Sequence, residues 1–219
     1  MPDSPLTRVR IWDAPIRLVH WLMVALVALS WWTAENNNLE WHRYSGYALL
    51  GLLVFRVYWG FFGSETARFA NFVKGPRAVW SYVRDASGAA RPGHNPLGAL
   101  SVILLLLLLI AQVTLGLFAV DVDGIESGPL SHLVSFDTGR ACADIHETLF
   151  NVLLGLIGLH IIAVLYYLLF RRQNLIATMI HGKRDVPAGT TTSLASLSWP
   201  KLLIGLVLAG IVVWYISRG

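Results

Sequence analysis

Cysteine is nearly absent: the 219 residues include one, Cys142. No intrachain disulfide can form, and no C-x-x-C-H motif exists to tether a prosthetic group through thioethers. An iron–sulfur cluster or a cysteine-based zinc site within the chain is excluded for the same reason. Charge is also scarce, at 14% of residues, where a soluble domain carries ~25%. Acidic residues are the scarcer sign, 13 against 17 Lys and Arg, which leaves a net charge of +4. A basic chain suggests a nucleic-acid partner, but here the basic residues flank apolar runs, as membrane topology requires. Nucleic acid is set aside on that ground.

What is abundant is apolar surface, 55% of residues with a mean hydropathy of +0.58. It comes in five blocks, roughly 16–33, 42–62, 97–120, 146–170 and 200–217. Each approaches the ~20 residues that span a bilayer. The first block has no small-residue cleavage site and ends in Trp31-Trp32, an interfacial pair, so it reads as a retained helix rather than a signal peptide. The last apolar core, 202–216, is the shortest. The expected fold class is an all-α membrane protein: a four-helix transmembrane bundle plus a fifth, C-terminal transmembrane helix. Residues 1–185 form the bundle unit, with connections at 63–96 and 120–145. Residues 186–198, rich in Thr and Ser, form a linker, and 199–219 the last helix.

Thirteen of the seventeen basic residues fall on one side of this arrangement: the N-terminal arm, the 63–96 connection, and the 171–201 connection. The positive-inside rule puts the N-terminus in the cytoplasm of a bacterial inner membrane and the C-terminus in the periplasm. The opposite side carries Glu35, Glu40, Asp121, Asp123, Glu126, Asp137, Asp144 and Glu147. Such a face steers a cationic partner, or simply reflects the rarity of Lys and Arg in translocated loops. In the cytoplasmic connection, Pro76 opens a short segment through Arg84 that reads as an interfacial helix.

Seven histidines are present, and His20, His42, His146 and His160 lie in or at the ends of spans. Ionisable residues inside a bilayer are rare and mark functional sites. His146 and His160 are fourteen residues apart, ~21 Å along a helix and within ~40° of one face. One helix thus offers two imidazoles to the interior at two depths, the spacing two stacked haems need. His42 opens the second span on the outer side, as His146 opens the fourth. His20 lies fourteen residues before Ala34 at the outer end of the first span, a depth that matches His160. The expected pairs are His42 with His146 at an outer haem iron and His20 with His160 at an inner one.

Arg56 follows His42 by fourteen residues, on the same helix face near the inner leaflet, where a haem propionate would supply its anion; the alternative is an arginine snorkelling to the interface. Gly46, Gly51, Gly155 and Gly158 remove side chains where a flat macrocycle approaches, or where helices pack closely. His94 is a further candidate, for a propionate or for proton delivery to quinone, or a polar cap before the third span. His132 and His181 fall in loops.

The run Trp12-Asp13-x-Pro15-x-Arg17-x-x-His20-Trp21 resembles the bacterial cytochrome b561 family, as do His42-Arg43-x-x-Gly46-Tyr47 and Phe55-Arg56-x-x-Trp59-Gly60-Phe61-x-Gly63. So do Ala70-Asn71-Phe72-Val73-x-Gly75-Pro76, Gly93-His94-Asn95-Pro96-x-Gly98, His146-Glu147-x-x-x-Asn151 and Gly158-Leu159-His160. The likeness covers residues ~10–185 and extends to the b-type subunits of nickel–iron hydrogenases and formate dehydrogenases. It implies a four-helix bundle with two bis-histidine haem b groups exchanging electrons with quinone, and its ligands fall on His20, His42, His146 and His160. The fifth span departs from the four-helix pattern. The expected function is electron transfer between the quinone pool and an outer-side partner, a c-type cytochrome or a hydrogenase-like enzyme docking on the acidic face. A free-standing superoxide:quinone oxidoreductase is the alternative. A metal or proton transporter using the same histidines is the alternative from another class.

Overall fold

The computed structural model describes residues 6–73, 75–84, 95–187 and 197–219. It is about three quarters helical. In chain order come strand β1 (Leu6–Arg10), α1 (Ala14–Glu35), α2 (Leu39–Phe62), α3 (Phe69–Phe72) and α4 (Pro76–Arg84). Then follow α5 (Pro96–Phe118), a 3₁₀ turn (Ser131–Leu133), α6 (Phe136–Leu169), α7 (Leu175–His181), strand β2 (Lys183–Pro187) and α8 (Trp199–Ile216). The expected linker and His94 fall largely or wholly outside the described residues.

The helices begin where short polar side chains cap them. Asp13 accepts the Ile16 N–H at 2.7 Å, Asn95 that of Gly98 at 2.7 Å, and Asn174 that of Ala177 at 2.8 Å. Proline follows at the start of α1, α5 and α8, where its missing N–H costs nothing. Between α1 and α2, Asn37 takes the left-handed conformation (φ 52°), which asparagine tolerates, and the two helices fold back as a hairpin. The end of the bundle bearing this turn is called upper below.

Helices α1, α2, α5, α6 and α8 are long and apolar enough to cross a membrane. Their outward residues, among them Leu107, Ile162, Leu203 and Ile211, stay exposed. In water so much bare apolar surface would be unfavourable at ~25 cal/mol per Å², and lipid is its natural solvent. The chain is a multi-pass membrane protein. One boundary differs from the hydropathy reading: α6 starts at Phe136 and runs 34 residues. At ~51 Å it exceeds the ~30 Å hydrocarbon core, so its polar first turns stand clear of the apolar span. His146 therefore does not open the helix but sits about three turns inside it.

Packing runs α1 on α2, α2 on α8 and α5, and α5 on α6. The fifth span thus docks beside α2, where the Gly51 Cα faces Val213: a Cβ there would lie 3.2 Å from its Cγ2. Two apolar clusters hold the bundle. One gathers Ile11, Trp12, Ile16, Phe55, Trp59 and Ala209 at the lower end, and the other Leu49, Leu53, Leu106 and Val113 between α2 and α5.

The lower end also carries a feature absent from the expected fold, a two-stranded antiparallel sheet. β1 pairs with β2 from Leu6↔Pro187 to Arg10↔Lys183, and Ile11 and Trp12 then donate to the Gly182 carbonyl at 2.7 and 3.2 Å. Gly182 ends α7 at φ 76°, and a Cβ there would press within 2.6 Å of the Trp12 carbonyl oxygen. Only glycine meets both demands. Nearby, Tyr167 Oη lies 2.9 Å from Tyr82 Oη and accepts from Asn95 Nδ2 at 2.7 Å, which joins α6, α4 and the α5 cap. Arg184 donates to Gln173 Oε1 at 2.6 Å. Burial pushes its guanidinium down from the ordinary value, opposed by Tyr167 and Tyr82.

Candidate functional site

Helix α6 packs its backbone closely on α5 and α7, but meets α1 and α2 across a wider separation bridged by rings. Trp31 and Phe150 face each other at 6.4 Å, and His42 and His146 at 6.0 Å, with the imidazole planes crossed at 84°. Metal–imidazole bonds are about 2 Å long, so two imidazoles sharing one ion place their ring centroids roughly 6 Å apart. The upper pair has that spacing.

Its orientation suits the same task. His42 Nδ1 lies 2.8 Å from the Ser30 carbonyl, and His146 Nδ1 lies 2.8 Å from the Gln112 carbonyl. A carbonyl accepts only, so each Nδ1 is the protonated donor, and the Nε2 lone pair of each ring is left for a metal. Ser45 supports the arrangement: its hydroxyl donates to the His42 carbonyl at 2.8 Å and lies 2.7 Å from Ser30 Oγ.

The lower pair is His20 and His160, close enough to interact electrostatically. Trp21 meets the His20 ring edge-on at 5.2 Å, and His20 Nδ1 is buried without a hydrogen-bond partner among the described residues. Below them Asp13, 8% exposed, does three jobs beyond its place in the motif. Its Oδ1 caps α1, and its Oδ2 accepts from Trp59 Nε1 at 2.9 Å and from the Ser64 hydroxyl. Arg56 feels this carboxylate and lies with Cζ 4.9 Å from the Phe69 ring centroid. At 8% exposure Arg56 does not snorkel, and its Nη1 is buried without a hydrogen-bond partner among the described residues. That atom is a spare donor beyond what Asp13 engages, fit for a further acceptor at that level.

A model of the prokaryotic cytochrome b561 family matches residues 11–182. The chain belongs to that family. No curated protein and no solved structure matches it. A prokaryotic cytochrome b561 is a membrane b-type cytochrome that binds haem b and serves electron transfer. The residues present fit such a group: crossed imidazoles at metal-sharing distance at the upper level, and the buried Nη1 of Arg56, unpartnered among the described residues, for an acidic substituent.

The remaining candidates divide by position in this cytochrome b561. Gly46 shares the face of His42, and a side chain there would meet nothing within 4 Å. Gly51 lies half a revolution from His42 and meets α8, so helix packing accounts for it. Gly155 is likewise open within 4 Å but about half a revolution from His146. Four contributors were not singled out from sequence: Ser30, Ser45, Gln112 and Gly116. Ser30 acts through its backbone carbonyl and Gly116 through its small volume, which leave little trace in a sequence, and Ser45 through a hydroxyl that nothing in its sequence neighbourhood distinguishes. Gln112 left one usable signal, a lone amide in an apolar span.

Proposed function

We propose that this cytochrome holds two haem b groups, His42 and His146 binding the upper iron and His20 and His160 the lower, and moves electrons between quinone and a redox partner outside the membrane. The supporting observation is the upper pair: two rings at 6.0 Å, each with its Nδ1 committed to a carbonyl. When bound, haem b with two histidine ligands supplies one-electron chemistry with no open iron position, which favours electron transfer over oxygen binding. The chain's own residues hold the rings at two depths and set the tautomers of the upper two. Arg56 faces an acidic substituent at the lower level.

With the basic connections in the cytoplasm, the upper level faces the periplasm. There Arg43 is tied to Glu126 at 2.7 Å and Arg140 to Asp144 at 2.9 Å, while Glu35, Glu40, Asp123, Asp137 and Glu147 stay exposed. An acidic face with its arginines neutralised favours a cationic protein partner over an anionic small substrate such as superoxide. A metal or proton transporter is disfavoured because the family that the chain matches is one of membrane b-type cytochromes in electron transfer.

Haem stoichiometry and reduced-minus-oxidised spectra of the purified protein test the reading. Two haems per chain are expected, one remaining in His160→Ala and one in His146→Ala. Full haem content in either variant, or a colourless wild-type protein, overturns it.

A further inference from the structure

The residues that hold the upper histidines are not ligands themselves, and two of them sit on α5, a helix that contributes no ligand. Gln112 and His146 are joined twice. The ring Nδ1–H donates to the Gln112 carbonyl at 2.8 Å, and Gln112 Nε2 donates to the His146 carbonyl at 2.9 Å. Gln112 is 7% exposed, so this bridge is shielded from competing water. One helical turn on, Gly116 forms a wall without a side chain. A Cβ there would stand 3.0 Å from His146 Cε1 and 3.3 Å from its Nδ1. The bridge fixes where the ring's donor points, and the wall limits how far the ring swings. On the other side, the Ser30 carbonyl holds the His42 ring.

We infer that Gln112 and Gly116 are positioning residues that keep the His146 plane crossed against that of His42 and thereby give the upper haem its own EPR signature and a lower potential than the haem below. This rests on the reading that His42 and His146 share an iron. Two physical effects connect geometry to readout. Crossed axial imidazoles direct their π orbitals at different iron d orbitals, which leaves those orbitals nearly equal in energy and gives a ferric signal of large gmax. An Nδ1–H held by a carbonyl also makes the opposite nitrogen a stronger donor, which stabilises the ferric state. Both upper ligands have such a bond, whereas His20 Nδ1 has none among the described residues.

The test uses the full chain with its haems, by low-temperature EPR and potentiometric titration of wild type, Gly116→Ala and Gln112→Met. Gly210→Ala serves as control, since a Cβ on that α8 glycine meets nothing within 4 Å. In wild type one large-gmax signal is expected, lost in His146→Ala, belonging to the lower-potential step. Gly116→Ala and Gln112→Met should keep two haems, move that signal, and raise the lower of the two steps while leaving the other and the control unchanged. If Gln112→Met sheds a haem, Gly116→Ala decides, because its single new atom faces the ring. A signal and potential unchanged in Gly116→Ala overturn the inference. Failure of the ligand reading looks different: His146→Ala would then keep both haems.

Discussion

The two histidine levels are built by different means. At the upper level each ring leans on the backbone of the neighbouring helix, Ser30 on α1 for His42 and Gln112 on α5 for His146. Beneath the lower level, in place of such backbone props, lies a side-chain network centred on Asp13, bonded to Trp59 and Ser64 and in electrostatic reach of Arg56. A main-chain carbonyl survives any substitution of its own residue, while a carboxylate does not. Haem retention at the upper level is therefore tolerant of single side-chain changes around the ligands, which alter the ring's angle instead, and at the lower level it is sensitive to them.

The largest expected effect is at Asp13. Asp13→Ala removes the α1 cap, two further hydrogen bonds, and the carboxylate that Arg56 feels, and should lower stability by ~3–5 kcal/mol. Thermal unfolding in detergent measures it, with haem release from the lower level preceding the upper. A variant as stable as wild type would erase the contrast. Next is Arg56→Met. A buried cation favours the added electron, so the redox step of the haem at the lower level should move to more negative potential while that of the upper-level haem holds. The smallest effect is at Ser45→Ala, which loses a supporting hydroxyl but not the Ser30 carbonyl. It should cost ~1 kcal/mol and leave the upper haem's spectrum intact. A lost upper haem in that variant would show that side chains, not main chain, hold this level too.

The spans were legible because hydropathy acts locally. The caps Asp13 and Asn95 and the prolines at the start of α1, α5 and α8 came to light with the structure, and they fix where those helices begin. The start of α6 was not legible, because Phe136 to Ile145 carries Asp137, Arg140 and Asp144 and is helical without being apolar. β1 and β2 were hidden for a related reason: their arginines and lysine were read as topology signals, and a pairing between distant segments leaves no periodicity in either. The histidine depths came from helical rise alone. Gly51 shows the limit of such reasoning, since a glycine beside a macrocycle and one beside another helix read alike until α8 is placed against it.

The small sheet has a topological consequence. Its strands meet edge to edge, so they lie on one side of the bilayer, and the four spans α1, α2, α5 and α6 stand between them. Only an even number of crossings permits that meeting. A nascent chain that skipped or doubled one crossing would leave β1 and β2 on opposite sides with a hydrocarbon barrier between them. A closed ribbon thus records an even count of crossings between its two strands.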